Sequence, residues 1–312
     1  MNEPRPPLIK APDSVWASLE AALNRGEKPR VERTRGRPPV LPLLIGLAAV
    51  IAAVGAAVAA YSWARTQKPQ WEVVRVEGSP SIGSQRIGDT ARIAEGQWLQ
   101  TDGSSRALLN VGDIGTVQVD PNTRLRIVAA RPREQRLALA RGGISATVNA
   151  PPRLFFVDTA SSTAVDLGCA YTMNVDDSGN GVLRVTLGWV SLEWNGRESM
   201  VPAGASCLTR RKIGPGMPVF DNATEPLKKA VQSFDFDNGG NGSVDTILNE
   251  ARVRDTLTLW HLLSRVDSSQ RSRVYNRMIA LVPLPADLSA DKILRLDRQE
   301  LDRWNQELAW KW

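Results

Sequence analysis

One histidine, His261, and two cysteines, Cys169 and Cys207, are all that 312 residues offer for imidazole or thiolate chemistry. Any site that needs two histidines is excluded, and a zinc site built on cysteine and histidine is short of ligands. The cysteines are far apart and belong to no Cys-x-x-Cys pair, so nothing in the sequence lowers either thiol's pKa toward nucleophilic or redox work. Carboxylates are more plentiful. Asp113, Asp120, Asp158 and Asp166 are the candidates for hydrolysis by a carboxylate pair. Each falls beside a turn or at an outward strand position, where a solvated carboxylate is the default. Residues 235–242 (DFDNGGNG) superficially follow a calcium loop. Gly239 occupies the fifth ligand position and Thr246 stands where a glutamate must close the site, so a flexible loop is expected instead. No metal or cofactor is expected.

The elements around these residues begin with an apolar run. No charge occurs between Arg37 and Arg65, and residues 40–64 read VLPLLIGLAAVIAAVGAAVAAYSWA. A helix over that stretch would be roughly 37 Å long, enough for a hydrocarbon core of ~30 Å, so a single membrane-spanning helix is expected. Residues 25–37 hold six basic and two acidic side chains, against three and two in residues 65–77. The more basic flank places the N-terminus in the cytoplasm and the C-terminal region in the periplasm of an inner membrane. The small residues of 46–60 permit close helix pairing, which makes a homodimer one expectation.

Before that run lies a tail, residues 1–38. Within it only residues 13–25 (DSVWASLEAALNR) have helical spacing, with Val15, Trp16, Leu19 and Leu23 on one face. Either this face docks in a groove of a cytoplasmic protein or it lies on the membrane surface. The formal charge is +6, and half of the excess belongs to residues 1–37. That is not a nucleic-acid-binding distribution.

Residues 70–208 change character: short alternating runs are separated by Gly, Asp, Asn and Pro, as in an all-β sandwich, barrel or short solenoid. The clearest strand is 163–175, with Val165, Leu167, Cys169, Tyr171, Met173 and Val175 on one face and Asp166 and Gly168 on the other. Asp176–Gly181 reads as a hairpin turn. Beyond it the alternation changes phase at Gly188, which suggests a bulge.

Five blocks recur in order. They are Asn110–Val119 with Pro121–Leu125, then Leu137–Gly143, Phe155–Thr159, Gly168–Met173 and Leu183–Val190. The third is similar to a Phe-x-Val-x-Thr pattern and the fifth to Val-x-Val-x-x-Gly-x-Val. In the fourth, Cys169 stands where the pattern has threonine. Together they resemble the FecR family, bacterial single-pass membrane proteins that regulate sigma factors, over roughly residues 98–205. The resemblance implies an exported β-domain that senses a signal, no active site, and a cytoplasmic part that binds a sigma factor.

In an exported compartment Cys169 and Cys207 become a disulfide candidate, closing a loop for which chain entropy gives about 4 kcal/mol at most. Two separately buried thiols are the alternative. Residues 209–242 read as a linker with a short helix at 224–234, and 243–312 as a helical bundle with helices over 243–265, 268–282 and 290–296. Asp297 with Glu300 caps a last one. The expected fold is thus an N-terminal transmembrane helix, an all-β domain and an α-helical C-terminal region. The expected function is regulation or signal transduction through a sigma factor or another cytoplasmic partner, with an unknown exported partner. The alternatives are an envelope scaffold and an envelope enzyme.

Overall fold

The structure, a computed structural model, describes residues 14, 17, 18, 20, 21, 54–56 and 70–312. The chain divides into two units, Met1–Thr66 and Gln67–Trp312. In the first, Ser14, Ala17, Ser18, Glu20 and Ala21 are helical and exposed. Val15, Trp16, Leu19 and Leu23 lie outside the described residues, as does all of the 40–64 run except Val54–Ala56. Among the described residues no helix is long and apolar enough to cross a membrane. The longest, Ser268–Leu281, has 14 residues and carries three arginines. At 1.5 Å per residue it is ~21 Å long, short of the ~30 Å a span requires. The expected fold class is corrected on this point: the fold is mainly β with C-terminal helices, and the transmembrane helix is not supported.

The second unit opens with eighteen strands. They are β1 (Gln70–Glu77), β2 (Ser81–Ile82), β3 (Gln85–Arg86), β4 (Thr90–Ala94), β5 (Trp98–Gln100), β6 (Arg106–Asn110), β7 (Gly115–Val119), β8 (Arg124–Arg131) and β9 (Glu134–Val148). Then come β10 (Phe155–Asp158), β11 (Thr163–Asp166), β12 (Ala170–Val175), β13 (Gly181–Leu187), β14 (Trp189–Trp194), β15 (Arg197–Pro202), β16 (Ala205–Arg210), β17 (Gly214–Pro215) and β18 (Val219–Phe220).

Pairing sorts them into two sheets. The first runs β4–β1–β6–β7–β9–β12–β13–β16, with β17 and β18 on the far side of β16, antiparallel throughout. The second runs β3–β2–β5–β8–β9–β10–β11–β14–β15, and only β9–β10 is parallel. One strand, β9, belongs to both. Its first half pairs with β8 and β10, and its second half, from Gly142, pairs with β7 and β12.

The burial pattern records the switch. Leu137 and Leu139 face the core before Gly142, and Ile144, Ala146 and Val148 face it afterwards, so the parity flips. Gly142 has φ +92°. A side chain there would be strained and would collide with Thr123.

The same device explains two differences from the sequence reading. The register slips at Thr186, just before Gly188, and Gly188, at φ +73°, does more than end a bulge: it carries the chain from β13 in one sheet to β14 in the other. The run 163–175 is not one strand either. It breaks at Gly168 (φ +89°) into β11 and β12, which lie in opposite sheets, and Asp166 turns inward and is buried. The hairpin turn forms where its composition put it, with Asp176 N–H donating to Asn180 O at 2.8 Å. Between the sheets lies one apolar cluster that includes Leu99, Leu109, Leu125, Ile144, Phe155 and Tyr171.

Six helices follow: α1 (Glu225–Phe236), α2 (Gly240–Glu250), α3 (Thr256–Arg265), α4 (Ser268–Leu281), α5 (Ala290–Leu294) and α6 (Arg298–Ala309). Thr224, Asp267 and Asp297 cap α1, α4 and α6 with side-chain oxygens. The periodic run 243–265 is two helices rather than one, because Arg252 N–H donates to the Asp255 carboxylate (2.9 Å) and the local bond competes with helix continuation. The helices bury a second cluster around Ile247, Leu259, Met278 and Trp304. Trp312 packs against both clusters and donates its indole N–H to Thr256 Oγ1 at 2.9 Å.

Candidate interaction surfaces and buried polar clusters

Strand β15 pairs with β14 on one side only, which leaves an edge of unpaired backbone groups. Helix α3 covers it. Met200 N–H donates to His261 Nε2 at 3.0 Å. That nitrogen therefore carries no proton, and Nδ1–H donates to Leu257 O at 2.9 Å. Burial, with Arg265 nearby, lowers the imidazole pKa from 6.5 to about 3, so the ring is neutral. The sole histidine is an edge cap.

One turn further along α3, Arg265 donates to Asp235 Oδ1 of α1 (2.9 Å) and to Ser199 Oγ of β15 (2.7 Å). Asp235 Oδ2 accepts from Met217 N–H at 2.6 Å, and Ser199 donates to Gly216 O at 2.6 Å. The side chains of Asp235 and Arg265 are 1% and 9% exposed. Burial pushes the Asp235 carboxyl above the usual carboxylate range, and Arg265 opposes that rise. Asp235, which opens the calcium-like run, is thus held by a guanidinium inside the molecule. The pair ties two helices to the last strands of both sheets.

Cys169 and Cys207 are buried free thiols, so the disulfide expected between them is absent. The register supplies the reason. Cys207 lies opposite Leu183, which lies opposite Met173, four residues along from Cys169. Two strand spacings and four residues of rise make roughly 16 Å, against the ~7 Å limit for a bridge. Each thiol has its own acceptor: Asp166 Oδ2 for Cys169 at 2.7 Å, and Gly216 O for Cys207 at 3.2 Å. Burial and the neighbouring Asp166 raise the Cys169 pKa, and burial raises that of Cys207 to about 12. Neither is a thiolate near neutrality.

The four candidate carboxylates do not converge. Asp113 is exposed beside β7. Asp120 is paired with Arg106 at 2.8 Å, and Asp158 with Arg136 at 2.7 Å. Asp166 is buried against Cys169, and burial raises its pKa. Among the described residues no three His, Cys, Asp or Glu side chains are grouped to hold a metal ion.

What the surface offers is shape. A groove runs between the outer face of β13 and β16 and helix α1, as two adjoining hollows of about 590 and 420 Å³. Val182, Leu208, Gln232 and Phe236 line both. Asp120 and Asp176 lie at one end, Arg184, Lys228 and Lys229 at the other. Leu208 is 41% exposed, which is uncommon for a leucine on a paired strand. Arg210 stacks over Phe236 at 4.8 Å and donates to its carbonyl at 3.0 Å. A second hollow of about 640 Å³ lies on the outer face of the second sheet around Arg136, Phe156, Glu193 and Trp194. Leu208 and Phe236 were not singled out by the sequence reading. Leu208 falls at an outward position of an alternating strand, and that was the available signal.

Comparison with known proteins agrees with the resemblance read from the five blocks. Residues 98–191 match the family described as FecR protein. No curated protein matches the sequence. Two crystal structures of a candidate anti-sigma factor from Parabacteroides distasonis ATCC 8503 are similar to part of the chain, each with 13% identity and a TM-score of 0.35. The similarity covers 43% of this chain and 63% and 62% of those chains, under two thirds of their length.

Proposed function

We propose that this protein is a regulator that works by binding, and that its partner is a sigma factor. The observation that carries the proposal is the FecR match over residues 98–191, which spans the β8–β9–β10 centre of the sandwich. The resemblance to FecR proteins supports sigma-factor regulation and supports a role without chemistry. The geometry is compatible with both. The imidazole caps a strand edge, the thiols are protonated, and the candidate carboxylates are exposed, ion-paired or buried apart from one another. On this reading the apolar face of residues 13–25, with Val15, Trp16, Leu19 and Leu23, contacts the sigma factor. The sandwich is the part that receives a signal.

The test is retention of sigma factors by the full-length chain from native lysate, with Trp16→Asp as the paired variant. A sigma factor held by the wild type and released by the variant supports the reading. Retention of none by either chain ends it.

A further inference from the structure

Register across the second sheet assembles a row that the sequence scatters over sixty residues. Arg86 of β3 pairs with Ser81 of β2, Ser81 with Gln100 of β5, Gln100 with Arg124 of β8, and Arg124 with Arg141 of β9. Directly paired residues point to the same face. Leu99 and Leu125, which alternate with Gln100 and Arg124, are fully buried, so this face is the outer one. The next row back holds Trp98 paired with Arg126. Arg124 lies over the Trp98 ring at 4.2 Å and Arg126 at 5.3 Å.

Four arginines, on β3, β8 and β9, therefore share one face of five neighbouring strands. All four are exposed. Arg124 and Arg141 are like charges directly opposite each other, an arrangement that costs stability. Only Arg141 has a carboxylate, Asp177 at 3.4 Å, and that pair is open to water. Among the described residues Arg86, Arg124 and Arg126 form no ion pair. Elsewhere on the sheet the pattern differs: Arg136 and Arg153 each hold a carboxylate. The contacts with Trp98 gather the two guanidinium groups over one ring, with no carboxylate paired to either among the described residues.

We infer that this face binds an acidic protein segment in extended conformation. Charge sets the sign of the partner. Spacing sets its form: Arg124 and Arg126 are two residues apart on one strand, ~6.7 Å, which is also the spacing of alternate side chains along an extended peptide. Carboxylates at every second position meet both guanidinium groups, each as a charge-assisted pair. The state of the ring separates this partner from the other polyanions. A sugar or a nucleic-acid base stacks on a bare aromatic face. Here the ring face carries guanidinium groups instead. The inference does not depend on the sigma-factor reading, whose contact residues are Val15, Trp16, Leu19 and Leu23.

The test is fluorescence anisotropy of the full-length chain with a labelled peptide of six Glu-Ser repeats. Saturable binding that weakens with salt is expected. Arg124→Gln with Arg126→Gln should weaken it about tenfold or more, while the circular-dichroism melting curve stays in place. Trp98→Leu, with both arginines kept, should weaken it less. A peptide with six glutamates at every third position should bind more weakly than the alternating one. Absence of saturable binding, or equal binding by the double-glutamine variant, overturns the inference. So does equal binding of the two peptides. Tighter binding of a sulfated glycan or a single-stranded oligonucleotide, lost in the same variant, also overturns it, in favour of a general polyanion surface.

Discussion

The two packing regions of this molecule are held together by different means. Between the sheets the contacts are apolar, and the side chains of Leu99, Leu137, Ile144 and Phe155 are shut off from water. Between the sandwich and the helices apolar contacts, with Leu257 of α3 in the sandwich cluster and Trp312 against both clusters, are joined by buried polar ones. His261 caps the β15 edge, Arg265 bridges Asp235 and Ser199, and Thr258 donates to Pro218 O at 2.8 Å. Apolar packing tolerates many partners and supplies most of the stability. Buried polar groups demand particular partners, and leaving one unpaired is expensive. The helical junction is therefore where buried polar pairs fix a single arrangement.

The largest expected effect breaks the sandwich itself. Gly142→Val places a β-branched residue at φ +92° and drives its Cβ into Thr123. A loss of more than about 4 kcal/mol is expected in urea unfolding, or no folded protein at all.

Next comes the junction. Arg265→Met leaves the Asp235 carboxyl buried without its partner and should cost about 3 kcal/mol. Proteolysis should then open residues 225–312 before the strands. Adding Asp235→Leu removes the orphaned charge and should recover most of the loss. If the double variant is no better than the single, the buried pair is not what orders the junction.

The smallest effect at neutral pH belongs to His261, and it carries a pH limb. The His261 pKa falls from 6.5 to about 3 on folding. The unfolded chain binds the extra proton, so this group's contribution is full above pH 6.5 and is lost as pH falls from about 6.5 to 3. Asp166 and Asp235, whose pKa values burial raises, act in the opposite direction at acid pH. Replacing His261 with glutamine should flatten the acid side of the stability curve. It should cost about 1–2 kcal/mol at neutral pH through the weakened cap on Met200. An unchanged acid limb would show that the imidazole is charged in the folded protein.

Local features were legible in the sequence. The turn at Asp176–Gly181, the cap at Asp297 and the β-rich region followed by helices rest on neighbouring residues, and local chemistry determines them. Pairing across distance was not legible. Alternation identified the inward residues of 169–175 but had the face reversed over 163–167. There Ala164 and Asp166 lie inward, and Val165, opposite Phe156, lines the outer hollow. The pattern cannot tell one strand from two that face each other across a core. That ambiguity hid the crossings at Gly168 and Gly188 and turned Asp166 the wrong way. It also led Cys169 and Cys207 to be read as partners, since spacing in sequence says little about register. The Asp235–Arg265 pair and the Arg86–Arg124–Arg141 row depend on which elements lie side by side, and no window of sequence contains that.

The shared strand has a consequence for the order of folding. In an ordinary sandwich each sheet completes its own ladder, and the two then dock through side chains. Here β9 is a rung of both ladders, so neither sheet closes until residues 134–148 are in place. The short reversal between Arg131 and Glu134 brings β8 and β9 together at low entropic cost. The strands before β9 can pair among themselves, as β4–β1–β6–β7 and β3–β2–β5–β8, and only β9 joins each of these ribbons to the strands that follow.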